Sequence, residues 1–283
     1  MWYNFFAMDK ELLERFLAKT DFKTPLLFPV TYNQTERVIR VLDETLLPWE
    51  EKYIDVRSLS DAEEVLYSMK TRAFGQVLLF LYIVALQAKG KTFEQGVPVV
   101  DETAQRFKKR RPTFDFLFIA QLLKKTASAQ PRLSWDEAVT GFVRYFDTGR
   151  RRRALALAEV LPDKSTVLTV CNLNGELVYL YYAMRFLNKD VGFWVCETRP
   201  YLQGTRLTFW ELQKEGVPSC LLCDNQAAYA MHAKKVQAVV VGADRANTRG
   251  DIINKIGTYA LARLCSMHAI PFYAYTQYPK DVD

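Results

Sequence analysis

The chain has 283 residues, 49% hydrophobic and 25% charged, which excludes a disordered polymer and leaves room for a large core shared between two domains. Its 38 basic and 32 acidic residues leave a net charge of +6, a mild bias that suits a small phosphorylated ligand and does not amount to a nucleic-acid signature. The apolar run over residues 77–85 is too short to cross a membrane. Met1-Trp2-Tyr3-Asn4-Phe5-Phe6 lacks the features of a secretory signal, so a cytoplasmic location is expected. The five cysteines are then expected to be free thiols. Cys220 and Cys223 have zinc or redox spacing but no companion pair, and are read as buried structural thiols.

Helical periodicity over residues 9–19 ends at Thr24-Pro25 and Phe28-Pro29. Alternation over residues 37–42, a turn at Leu46-Leu47-Pro48 and a run at 52–56 predict a β-hairpin. Ser60 with Glu63 predicts a capping box opening a helix that reaches about Lys70. The next helix is expected from Val77. Arg72 stands just ahead of it, where a guanidinium and free backbone donors can converge on phosphate. Residues 108–113 repeat the theme, with Arg111 ahead of a helix over 114–126; taken alone, both arginines read first as solvated surface. Ser134 starts another helix. The cluster Gly149-Arg150-Arg151-Arg152-Arg153 is short and has no aromatic platform beside it for nucleic acid.

After Pro162 the pattern changes. Strands are expected at 166–171, 191–195, 217–222, 238–241 and 270–275, alternating with helices at 175–187, 205–215, 226–234 and 252–266. The fold class is therefore α/β: a Rossmann-like parallel sheet in a C-terminal domain, 162–283, and a smaller, mainly helical N-terminal domain with a short hairpin, 1–161.

In such a sheet, ligands bind outside the carboxyl ends of the strands. The strands here lead into Cys171-Asn172, Glu197 to Gly204, Asp224-Asn225 and Asp244-Arg245, so topology alone brings these groups to one edge. Asp251 is expected to cap the 252–266 helix, with Asn254 and Lys255 in its first turn; a lysine there opposes the helix dipole and suits a bound anion. No glycine-rich dinucleotide fingerprint and no P-loop is present, which argues against hydride-carrying cofactors. His232 and His268 lie away from the strand ends and read as surface residues. A thiol and a carboxylate on one edge, with cationic groups to hold phosphate, suit proton transfer next to a carbonyl.

At these residues the sequence resembles the methylthioribose-1-phosphate isomerase family. The resemblance lies in Cys196-Glu197-Thr198-Arg199-Pro200-Tyr201-Leu202-Gln203-Gly204-Thr205-Arg206-Leu207-Thr208, in Gly242-Ala243-Asp244-Arg245, in Gly250-Asp251 through Asn254-Lys255-Ile256-Gly257-Thr258-Tyr259, and in Arg111-Pro112-Thr113 and Leu46-Leu47-Pro48. It implies an aldose-ketose isomerase of methionine salvage, converting 5-methylthioribose 1-phosphate, or a close pentose 1-phosphate, to its ketose without cofactor or metal, and a homodimer; with the mild charge and the short apolar run, no nucleic-acid or membrane partner is expected. Carried over, Cys171 and Asp244 are the catalytic pair, while Arg72, Ala73, Phe74, Arg111, Gln203, Asn254 and Lys255 hold the substrate. Two positions depart from the family: bulky Phe74 replaces a small residue, and Glu176 follows Cys171 where small residues are usual and must point away from a thiolate. The same fold also serves regulatory subunits of the B-type exchange factor of translation initiation, which makes a non-catalytic sugar-phosphate-binding protein the alternative.

Overall fold

The computed structural model describes residues 10–18, 21–130 and 132–276; the readings made at residues 1–6 and at the two ends of the first helix, 9 and 19, lie outside them. The chain forms two compact units, Leu27–Asp147 on one hand and Met1–Leu26 with Thr148–Asp283 on the other. The sequence pattern places a domain boundary near Leu161; by contacts the units change between Asp147 and Thr148, inside one long helix.

The first helix, α1 (Lys10–Leu17), buries Leu13 and Phe16 and belongs with the later sheet unit, where the Phe16 ring meets Phe186 at 5.7 Å. In the 27–147 unit, strands β1 (Val30–Asn33), β2 (Val38–Leu42) and β3 (Tyr53–Val56) form an antiparallel sheet in that order. The expected hairpin is β2–β3, with Val41 opposite Ile54; β1 is an additional strand, too short to announce itself by alternation.

Helix α2 (Leu59–Tyr67) is capped by Ser58, not Ser60: the Ser58 hydroxyl accepts the Asp61 N–H at 3.1 Å and the Asp61 carboxylate takes the Ser58 N–H at 3.0 Å. Asp61, closer to its own backbone than a glutamate, outcompetes the Ser60–Glu63 pairing. Glu63 is engaged elsewhere, by Arg106 and Arg110. Helix α3 (Phe74–Ala88) is apolar on nearly every side and buried throughout except at Tyr82 and Gln87, as expected of a core helix. Around it pack α4 (Phe93–Arg110) and α5 (Phe116–Ser128), and the rings of Phe80, Phe107 and Phe116 meet at 5.1 to 5.8 Å. Helix α6 (Trp135–Val160) follows Ser134, which exchanges hydrogen bonds with Glu137.

The sheet unit alternates β4 (Ser165–Thr169), α7 (Glu176–Phe186), β5 (Val191–Cys196), α8 (Trp210–Lys214), β6 (Ser219–Leu222), α9 (Gln226–His232) and β7 (Ala238–Gly242). A two-stranded hairpin, β8 (Arg245–Ala246) and β9 (Ile252–Ile253), precedes α10 (Thr258–His268) and β10 (Phe272–Tyr275). The sheet is parallel throughout, in the order β10-β7-β4-β5-β6. Its inner strands are covered on both faces, and β7 accordingly reads as the apolar run Ala238-Val239-Val240-Val241. One face of β7 and β10 carries Val239, Val241, Phe272 and Ala274 into a core shared with α9 and α10.

Three expectations change here. The 252–266 helix begins only at Thr258, because Ile252-Ile253 pairs with Arg245-Ala246 and the Asn247 and Asp251 side chains bond each other across the turn, so Asp251 closes a hairpin and caps no helix. The 205–215 helix opens as a π-helical turn, Gly204–Phe209, before α8. Cys220 and Cys223 are exposed, since β6 is the last strand of the sheet and, among the described residues, has no strand beside it on one side. Among the described residues no helix is long and apolar enough to cross a membrane.

Candidate functional site

Strand order places β4 at the centre of the sheet with β7 and β5 as its neighbours. Cys171 follows β4 and Asp244 follows β7, so they leave adjacent strands that run about 4.8 Å apart. Cys171 is partly buried, and Asp244 is exposed. Asp244 is held at its backbone, where its N–H donates to the Ile253 carbonyl at 2.8 Å. The β8–β9 hairpin therefore fixes the main chain on which the carboxylate is carried.

The residues after β9 return to the same edge. A Cβ on Gly242 would lie 3.9 Å from Asn254 Oδ1 and 4.0 Å from Leu173 Cγ, and one on Gly257 would touch Val170 at 3.9 Å. Asn254, the turn at 257 and the chain after β4 thus converge. The Asn254 amide donates to the Thr258 hydroxyl at 3.0 Å, and the Lys255 carbonyl accepts the Thr258 N–H. Asn254 and Lys255 consequently sit in the turn ahead of α10, not inside a helix, and the free donors of that helix start remain beside them.

Gln203 stands just before the π-helical turn, buried, and its side-chain oxygen has no hydrogen-bond partner among the described residues. Buried amides are normally satisfied, so this oxygen is suited to a ligand donor. Cys196 at the end of β5 is a different thiol: burial pushes it up to about 12, with Asp224 and Glu197 adding to the effect, which keeps it protonated and inert.

Glu176 is engaged by arginines. At the first turn of α7 it forms a two-pronged pair with Arg153, at 2.8 and 3.2 Å, and lies 3.9 Å from Arg150. Arg150 also donates to the Asn174 carbonyl and stands 5.2 Å from the centre of the Tyr179 ring; Arg151 stacks on Phe22 and Tyr179 at 5.1 and 4.9 Å. The basic cluster of α6 is thus largely interior, with Arg150 only 1% exposed. Sequence analysis saw its charge but not its partners, which come from segments more than twenty residues away.

The remaining candidates lie in the 27–147 unit. Arg72 precedes α3, and its backbone N–H donates to the Glu44 carboxylate at 3.0 Å while its guanidinium stands 3.8 Å from the other carboxylate oxygen. The Thr71 hydroxyl donates to the same Glu44 at 2.5 Å. Ala73 has φ +39°, a conformation that non-glycine residues seldom adopt. Phe74 begins α3 with its ring buried against Phe28 at 6.2 Å, so its bulk is absorbed by this unit's own core. Arg111 is the residue that ends α4, its N–H bonded to the Phe107 carbonyl. Sequence analysis overlooked Glu44, whose fully buried carboxyl is raised to about 7 by burial against the pull of Thr71 and Arg72.

Among the described residues no group of three or more metal-ligating side chains comes together.

Residues 78–280 match the profile of the initiation factor 2 subunit family, IF-2B. Methylthioribose-1-phosphate isomerase of Pelotomaculum thermopropionicum is 35% identical over 256 residues, covering 83% of this chain and 70% of that protein. The corresponding protein of Desulforudis audaxviator is 36% identical over 250 residues, covering 82% and 72%. Among solved structures, 5-methylthioribose 1-phosphate isomerase from Pyrococcus horikoshii OT3 aligns with a TM-score of 0.74 at 28% identity, covering 98% of this chain and 80% of that one. The translation initiation factor eIF-2B subunit delta from A. fulgidus aligns with a TM-score of 0.69 at 26% identity, covering 90% and 81%.

Proposed function

Because this chain belongs to the family of initiation factor 2 subunits and methylthioribose-1-phosphate isomerases, we propose that it is an aldose-ketose isomerase converting 5-methylthioribose 1-phosphate to 5-methylthioribulose 1-phosphate. The observation that carries the reading is the placement of Cys171 and Asp244 after adjacent central strands, at the carboxyl edge where ligands of such sheets bind.

In this reaction the bond from C1 to the ring oxygen breaks and that oxygen takes a proton. The hydrogen on C2 ends on C1, the C2 hydroxyl becomes a carbonyl, and the phosphate stays in place. The chemistry needs a group that gives and takes protons beside C1 and C2, and we assign Asp244 to it, with Cys171 as the second catalytic residue. Gln203, Asn254 and Lys255 hold the sugar and its phosphate; the ammonium of Lys255 and the free donors at the start of α10 suit a dianion. Arg72, Ala73, Phe74 and Arg111 keep the substrate-holding role that the family resemblance implies. A homodimer in the cytoplasm belongs to the same proposal.

The test is a coupled assay for ketose formation from methylthioribose 1-phosphate, with Cys171→Ala and Asp244→Asn variants. Loss of at least a thousandfold in kcat with an unchanged circular dichroism spectrum is expected, and undiminished turnover overturns the assignment. Running the reaction in D2O tells whether the hydrogen arriving at C1 exchanged with solvent. The alternative, a regulatory sugar-phosphate-binding protein, predicts binding without conversion.

A further inference from the structure

The residues that follow β4 turn sharply. Cys171 has φ +69°, Asn174 +50° and Gly175 +80°, so two non-glycine residues of this short loop occupy the left-handed region. That conformation is unfavourable for an L-residue, and it persists only where surrounding contacts impose it. At Cys171 those contacts can be named. Its N–H donates to the Thr198 hydroxyl oxygen at 2.8 Å, and its carbonyl accepts the Thr208 hydroxyl at 2.7 Å. Both polar groups of the strained peptide are thus held by threonine side chains, 27 and 37 residues further along the chain.

The two threonines are themselves fixed. Thr198 and Thr208 are 1% and 0% exposed. Thr198 is also left-handed, at φ +66°; its N–H and that of Arg199 donate to the two Asp224 carboxylate oxygens, each at 2.8 Å, and its hydroxyl donates to the Cys196 carbonyl at 3.1 Å. Thr208 lies in the π-helical turn, a widened helix that recurs at functional sites. The turn can press on the end of β5 only because residue 204 is glycine: a Cβ there would fall 1.8 Å from the Cys196 carbonyl oxygen and 2.9 Å from Thr198 Oγ1.

We propose that Thr198 and Thr208 are positioning residues for the Cys171 thiol, with Asp224 anchoring Thr198. The Thr198 hydroxyl accepts from the cysteine N–H, the Thr208 hydroxyl donates to its carbonyl, and together they hold its backbone left-handed and so aim its side chain. On this view part of the segment 197–208 acts on the geometry of the thiol and not on the substrate. The inference deepens the isomerase reading and rests on it only for the catalytic consequence.

The experiment compares wild type with Thr198→Val, Thr208→Val and Thr198→Ser in two assays. The first measures iodoacetamide alkylation of Cys171 by peptide mass spectrometry across pH, with no substrate present and with the exposed Cys220 and Cys223 of the same molecules as internal references. The valine variants are expected to change the Cys171 rate at least fivefold relative to those references, and the serine variant, which keeps the hydroxyl, to restore it. The second measures turnover of methylthioribose 1-phosphate: kcat falls 10- to 100-fold in the valine variants, KM stays within threefold, and Thr198→Ser recovers most of kcat. An unchanged Cys171 alkylation rate in folded valine variants overturns the proposal. If Thr198→Val does not fold, Thr208→Val and Thr198→Ser decide it by the same criterion. Altered alkylation in a protein whose wild type shows no isomerase turnover upholds the positioning role and refutes the isomerase reading instead.

Discussion

The carboxylate of Glu44 and the guanidinium of Arg72 lie 3.8 Å apart in a place with almost no solvent, since Glu44 is 1% exposed. Burial outweighs the help Glu44 receives from Thr71 and Arg72 and raises its carboxyl to about 7. A group that binds its proton more tightly folded than unfolded stabilises the fold below its unfolded value near 4.5, and that contribution is lost as pH rises through about 7. The gap corresponds to about 3 kcal/mol at most. Urea denaturation from pH 4.5 to 8 is expected to show stability falling over this window, and Glu44→Gln to flatten the profile. An identical slope in the variant would falsify the assignment.

Arg153 and Glu176 are both about nine-tenths buried. Removing one partner leaves the other charged and desolvated, so Arg153→Met is expected to cost about 3 kcal/mol. Replacing both, Arg153→Met with Glu176→Leu, recovers only part of the loss, because buried Arg150, 3.9 Å from Glu176, then loses that carboxylate. Chemical denaturation of the single and double variants checks this, and a double variant no better than the single one contradicts it.

Gly204→Ala has no room. The new methyl group would overlap the backbone of Cys196, which cannot swing aside as a side chain can. A loss of about 3 kcal/mol or more is expected, read as a lowered denaturation midpoint, whereas Gly141→Ala, with open space around it, stays near wild type or above.

The five cysteines divide by environment. Cys220 and Cys223 are expected to react rapidly with a thiol reagent in the native protein. Cys196 and Cys265, buried and raised to about 12 and 11 by desolvation, are expected to react only after unfolding. A time course with and without denaturant, resolved by peptide, separates the two sets.

The sequence was most legible where one physical signal acted alone. The apolar run of β7 follows from burial on both faces, and the alternation of strands and helices then decided which residues share an edge. It was least legible where distant partners decide. Ile252-Ile253 reads equally as a helix start or a strand until Arg245-Ala246 is beside it. The arginines of α6 look solvated until Glu176, Tyr179 and Phe22 surround them. Cys220 looks buried until β6 proves to be the last strand. The candidate site divides in the same way. Cys171 and Asp244 could be read from strand ends, but Thr198 and Thr208 matter through hydrogen bonds to a backbone that no pattern of side chains records.

The left-handed Cys171 sets stability against turnover. At φ +69° the least strained residue is glycine, so Cys171→Gly should relax the loop and leave a protein about as stable as wild type or firmer, despite the greater freedom of its unfolded chain. Selection for durability alone would drift toward that glycine and discard the sulfur. On the proposed reaction the thiol is kept at a cost in stability, and a thermostability screen of this loop would reward its loss.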